Sequence, residues 1–192
     1  MGHYDWQKTS KVEKINFACG YCSKETAPSK MYETGTGADY GAHIYICPNC
    51  TQPTFIDENG NQTPGVMLGK AVDGITSNDV AQLYQEARYC ISVGAFTATV
   101  MVCRKILMNL AVQHSAKENE NFFFYVDFLA NNGFMPQQGR PWVDAIRKKG
   151  NEANHEIALM DDKDAQFILQ FTEALLIFNY EMIHILGNYS KP

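Results

Sequence analysis

Two short cysteine pairs constrain this chain more than any other feature: "CGYC", with Cys19 and Cys22, and "CPNC", with Cys47 and Cys50. Two residues between cysteines let a tight knuckle turn both sulfurs toward one ion. Two such knuckles supply a closed set of four thiolates, which suits a structural Zn2+. A rubredoxin-like iron centre uses the same spacing, and redox-active disulfides are a third reading of it. "KINFAC" and "AHIYIC" read as strands entering the two knuckles, and the turn-rich stretch between them includes "GTGADYG", read as a hairpin turn. His43 is expected on a strand surface, since four cysteines already complete a tetrahedron. Residues 1–56 are therefore expected to form a β zinc ribbon, too small to fold without its metal.

What such a module touches depends on its charge. Lys8, Lys11, Lys14, Lys24 and Lys30 are offset by Asp5, Glu13, Glu25, Glu33, Asp39, Asp57 and Glu58. No basic stripe is evident in that count, so docking of a protein is favoured over direct contact with nucleic acid. The whole chain carries a formal charge of −5, which argues against broad, nonspecific nucleic-acid binding.

"DENGNQTPG" breaks the composition with turn formers, and residues 57–75 are expected as a linker. The pattern then becomes helical over 76–192. Ser77 or Asn78 can cap a first helix that Gly94 stops. "AFTATVMVCRKILMNLAVQHS" is apolar almost all round and suits a central helix. "NFFFYVDFLANNG" reads as a short buried helix, and Pro141 suits the first turn of the next one. A last helix carries an apolar stripe through Phe167, Phe171, Ala174, Phe178, Met182 and Ile185, widened by Leu175, Leu176, Ile183 and Leu186, and Gly187 is expected to close it. Cys90 and Cys103 are expected as small core residues. The expected fold is α+β: a ribbon followed by an all-α bundle of about five helices.

Gln170, Glu173, Asn179 and Glu181 interrupt the longest apolar run, which excludes it as a membrane span. The polar first residues do not resemble a signal peptide, so a cytoplasmic location is expected.

"RKKGNEANHE" is the one locally basic segment. On a helix Asn151 lies about 40°, His155 about 80° and Lys148 about 100° from Arg147. One narrow stripe thus offers a guanidinium, an amide and an imidazole, groups that can clamp a phosphodiester and exchange a proton near neutral pH. The same residues can equally serve as caps and ties within a fold. Arg104 and Lys148 are further candidates for binding an anion.

"DVAQLYQEARYCISVGAFTATVMVCRKIL", "IRKKGNEANHE" and "DAQFILQFTEALLIFNYEM" together resemble a bacterial helical family, domain of unknown function 4145, over about residues 66–186. Its most specific element corresponds here to Arg147, Gly150, Asn151 and His155. That family is in turn similar to the HEPN superfamily of helical, often dimeric domains, many of them metal-independent ribonucleases in antiviral defence. The resemblance implies a homodimer, an RNA or defence-system protein as partner, and either an interaction module or a ribonuclease using Arg147, Asn151 and His155. This chain departs from the superfamily pattern: its Arg and His stand eight positions apart, a longer interval, and "KILM" follows Arg104 where an acidic residue is usual.

Overall fold

The computed structural model describes residues 9–11, 15–33, 42–136, 139, 141–142 and 159–189. The chain divides into two compact units at Met67/Leu68. Of the stretch 57–75 expected as a linker, residues up to Met67 fall in the first unit and those from Leu68 in the second.

The first unit is built from short antiparallel strands. A five-stranded sheet takes the order β1 (Ser10–Lys11), β4 (Lys30–Glu33), β5 (His43–Ile46), β6 (Pro53–Ile56) and β7 (Gln62–Thr63). A separate two-stranded ribbon pairs β2 (Phe17–Ala18) with β3 (Glu25–Thr26). Each cysteine pair sits at the turn of a hairpin, the first between β2 and β3, the second between β5 and β6. The "DENGN" stretch is itself the β6–β7 turn. The Asp57 carboxylate accepts the Asn59 and Asn61 amides at 2.9 and 2.7 Å and the Asn61 side chain at 2.8 Å. These bonds fold the turn back on itself and hold the Asp57 carboxyl below its ordinary range. Phe17, Cys19, Tyr45 and Cys47 form the small core, with Met31 and Ile56 packed against it.

The second unit is helical: α1 (Asn78–Ser92), α2 (Phe96–Gln113), α3 (Phe122–Asn131) and α4 (Asp162–Leu176). α4 runs on through a π-helical turn (Ile177–Glu181) into a last segment (Met182–Tyr189), making one rod. Side chains cap three of these starts: Ser77 Oγ accepts the Val80 amide, Asn121 Oδ1 that of Phe124 and Asp161 Oδ1 that of Asp164. α2 packs against α1, α3 and α4 and buries Val100, Cys103, Ile106, Leu107, Leu110 and Ala111, as its all-round apolarity leads one to expect. Four helices stand among the described residues where about five were expected. Of the additional helix only Pro141 and Trp142 are described, with the Trp142 ring stacked on Phe167 at 4.9 Å; residues 143–158 lie outside the described set.

The last rod departs from the expected stripe. Phe171, Leu175 and Leu176 are buried, but Met182, Ile183, Ile185 and Leu186 are exposed. α2 ends at Gln113, where the Tyr180 hydroxyl donates to Gln113 Oε1 at 2.6 Å, and beyond that level no residue of the rod is buried. Gly187 does not close the helix, which continues to Tyr189. A helix interior tolerates glycine at a cost of about 1 kcal/mol relative to alanine, too little to end a rod that is otherwise apolar and helix-forming.

Residues 68–75 form a strap on the helices. Leu68, Val72 and Ile75 pack against the helical core. The buried Arg88 donates from Nε to the Leu68 carbonyl at 3.0 Å and from Nη2 to that of Gly69 at 2.8 Å. Tyr84 donates to the Lys70 carbonyl at 3.0 Å, and the Lys70 amide donates to Glu173 at 3.2 Å. Gly69 has φ +73°, a backbone conformation that side-chain-bearing residues rarely adopt, so the turn of the strap favours glycine here.

Candidate metal centre

The two knuckles share one backbone design. In the first, the Cys19 amide donates to the Lys24 carbonyl at 3.0 Å and the Ser23 amide to the Cys19 carbonyl at 2.8 Å. In the second, Cys47 donates to Gln52 at 3.0 Å and Thr51 to Cys47 at 2.9 Å. The residue after each second cysteine, Ser23 or Thr51, takes the left-handed conformation with φ +57° or +58°. That reversal turns the chain out of each knuckle into the following strand.

The sulfurs meet between knuckles. Cys19 Sγ lies 3.7 Å from Cys50 Sγ, Cys22 Sγ lies 3.8 Å from Cys47 Sγ, and all four are within 4.8 Å of one another. A metal–sulfur bond of about 2.3 Å makes each edge of a sulfur tetrahedron about 3.8 Å, so the cage has the right size. A disulfide would need about 2.05 Å, and the four cysteines are free thiols. Four soft thiolates in this arrangement can hold a metal ion and are compatible with zinc.

Burial raises the Cys22 and Cys50 thiols above their ordinary value, although the Lys24 and Gln52 amides point at them. Burial acts on Cys47 too, but there the Cys50 and Asn49 amides outweigh it and hold the thiol down to about 7. A divalent cation would supply the compensating charge that this partly desolvated cluster lacks. Gly20 completes the first knuckle: a Cβ there would meet the carbonyl oxygens of Pro64 and Gly65. Gln62 Nε2 holds that chain segment over the knuckle, donating to the Ala18 and Pro64 carbonyls at 2.9 and 3.0 Å.

His43 is not a ligand; its ring stacks on Tyr45 at 5.5 Å. Supporting residues that sequence reasoning passed over form a repeat. "FACGYCSKET" and "YICPNCTQPT" share an aromatic two places before the first cysteine, Ser or Thr after the second, and a Thr three places beyond that. Phe17 pairs with Thr26 and Tyr45 with Thr54 across their hairpins, the two aromatic rings stand 5.8 Å apart, and both threonines are buried. Aligning the chain with itself at the cysteines would have found them.

Arg104, expected to bind an anion, lies on α2 with its guanidinium 4.5 Å over the Phe122 ring, and burial lowers its pKa. It lines a cavity of about 720 Å³ with Lys105, and Glu118 and Glu120 stand on the same wall system. Lys148 and the stripe of Arg147, Asn151 and His155 lie outside the described residues, so no geometry joins them to Arg104. Cys103 is buried, and desolvation pushes its thiol up to about 12, which makes it an inert core residue. Among the described residues no helix is long and apolar enough to cross a membrane.

No curated protein and no solved structure is found to match the chain. Residues 85–187, more than half of its length, match the model of a family described as Domain of unknown function (DUF4145), a match confined to the helical unit and beginning well after the cysteine cage. The chain therefore belongs to the DUF4145 family and carries, ahead of the matched region, a cluster of four cysteines that could hold a metal ion.

Proposed function

We propose that this protein is a non-enzymatic adaptor or sensor. A zinc-clasped ribbon presents a docking surface, and a HEPN-like helical domain carries it into a bacterial restriction or antiviral assembly, acting as a cytoplasmic homodimer. The observation that carries the reading is the closed cage: four cysteine sulfurs within 4.8 Å of one another occupy all the positions of a tetrahedral ion. Such a site leaves no open position for water or substrate, so its metal holds a fold together and performs no reaction. Zinc supplies the folding free energy that so small a module lacks.

The competing reading is a metal-independent endoribonuclease, its Arg147, Asn151 and His155 meeting across a dimer. It rests on the polar stripe of the sequence. One experiment separates the two. The purified zinc-loaded chain is incubated with a mixed RNA pool without added divalent cations, beside His155→Ala. The adaptor reading expects intact RNA from both proteins. Fragments ending in 2′,3′-cyclic phosphate, made by the parent chain and lost in the variant, would overturn it.

A further inference from the structure

The central helix α2 leaves one stripe of its surface open. Met101, Lys105 and Asn109 form an exposed row at four-residue spacing, and Arg104, Met108 and Val112 form a half-buried row beside it. From Met101 to Val112 the stripe is about 16 Å long. Both rows line the cavity of about 720 Å³, whose remaining lining is Glu118–Glu120, between α2 and α3, and Tyr125 of α3. That second lining is held in place. The Glu120 amide donates to the Tyr125 hydroxyl at 3.2 Å, and Lys117 Nζ donates to the Glu120 carboxylate at 2.6 Å. A cavity of this size, with a few polar groups on an apolar wall, suits a small ligand.

Arg104 is fixed by its planar face. The guanidinium lies 4.5 Å over the Phe122 ring, and that stacking leaves the N–H groups at its edge for another acceptor. The ion pairs among the described residues are Lys70–Glu181 and Lys117–Glu120, so neither Arg104 nor Lys105 is neutralised by one. Burial works against the charged guanidinium, and an anion arriving from outside would offset that cost. Asn109 is oriented from the other side. The Tyr180 hydroxyl donates to Gln113 Oε1 at 2.6 Å, and Gln113 Nε2 donates to Asn109 Oδ1 at 2.8 Å. This one-way relay leaves Asn109 Nδ2 as a donor, one helical turn or about 6 Å along α2 from Lys105.

We propose that this cavity binds a nucleoside monophosphate, its phosphate on Arg104 and Lys105 and its base along Met108 and Val112, with a base acceptor on the Asn109 amide. A single ribose separates phosphate from base in such a molecule, which matches the one-turn spacing of the cations and the amide. A fatty carboxylate satisfies the cations and the apolar wall but leaves the amide unused. A polyphosphate or a nucleic-acid strand brings further negative charge toward Glu118, which repels it. The inference is independent of the adaptor reading, since the cavity lies in the helical unit and shares no residue with the cysteine cage.

The test is isothermal titration calorimetry of the full-length, zinc-loaded chain with AMP and UMP, and with adenosine and inorganic phosphate as probes of the two halves. At least one nucleotide should bind about 10-fold or more tightly than either half. Arg104→Gln should weaken nucleotide binding about 10- to 100-fold, as expected for a lost charge-assisted contact. Lys105 is exposed, so Lys105→Ala keeps the fold and tests the site by itself, with an expected loss of about 2- to 5-fold. Asn109→Leu should weaken the nucleotide about 5- to 100-fold and leave inorganic phosphate unaffected, because only the base loses its donor. Helical ellipticity equal to the parent's shows that each variant is folded. No nucleotide binding by the parent, inorganic phosphate bound as tightly as the nucleotides, or nucleotide affinity unchanged in both Arg104→Gln and Lys105→Ala would overturn the proposal. None of these outcomes touches the adaptor reading, which falls only to RNA cleavage.

Discussion

The Arg88 guanidinium reaches from α1 to donate to the Gly69 carbonyl at 2.8 Å, tying the strap that begins the helical unit to its first long helix. Its Nε takes the Leu68 carbonyl, and Nη1 reaches Gln85 Oε1 at 3.2 Å. A buried cation is held here by neutral acceptors, so the bonds are charge-assisted on one side. Arg88→Met should fill the space yet leave the two carbonyls without donors. We expect it to lower stability by about 2–3 kcal/mol, read from urea unfolding of the helical circular-dichroism signal.

Removing the metal should separate the two units. Chelation, or Cys47→Ser, is expected to abolish ordered signals from residues of the ribbon in a proton–nitrogen correlation spectrum. Helical ellipticity should be largely kept, because the helical core contains no residue of the cage. Loss of both together would show that the helices depend on the ribbon.

Thr51 sits at φ +58°, a backbone conformation that opposes a β-branched side chain. Thr51→Gly removes that opposition and gives up the bond from Thr51 Oγ1 to the Cys50 carbonyl. It should stabilise the metal-loaded ribbon by about 1 kcal/mol, measured as tighter zinc retention against a competing chelator. Weaker retention would mean that the hydroxyl bond outweighs the backbone term.

Asn179 is the buried polar residue of the π-helical turn. Its Nδ2 donates to the Leu175 carbonyl at 2.8 Å and to that of Phe134 at 2.9 Å, joining the rod to the chain after α3. Asn179→Leu should cost about 1–3 kcal/mol by leaving buried acceptors unpaired. Hydrogen exchange should rise first in residues 132–135, which the side chain holds, and an unchanged exchange pattern there would contradict this role.

Much of the molecule was legible in order. The cysteine set could be read because all four ligands come from two local turns, and a two-residue spacing admits few geometries. The helix cap at Ser77 is likewise local, made within three residues of its own position; Asn121 and Asp161 make the same kind of bond, although the sequence reading did not single them out. Periodicity misjudged the end of the last rod, since Met182 and Leu186 are as apolar as Leu175 and only the length of α2 decides which are covered.

What the order of residues determined by itself was chemistry that closes over short distances: the thiolate cage, the capped helices and the apolar length of α2. The tertiary structure alone decided which distant residues share a surface. Lys11 and Lys30 become neighbours through the β1–β4 register, and Arg88 finds Leu68 and Gly69 because the strap lies along α1. A one-residue slip of a strand turns every side chain to the other face, so neither charge counting nor periodicity can assign a face until pairing is known.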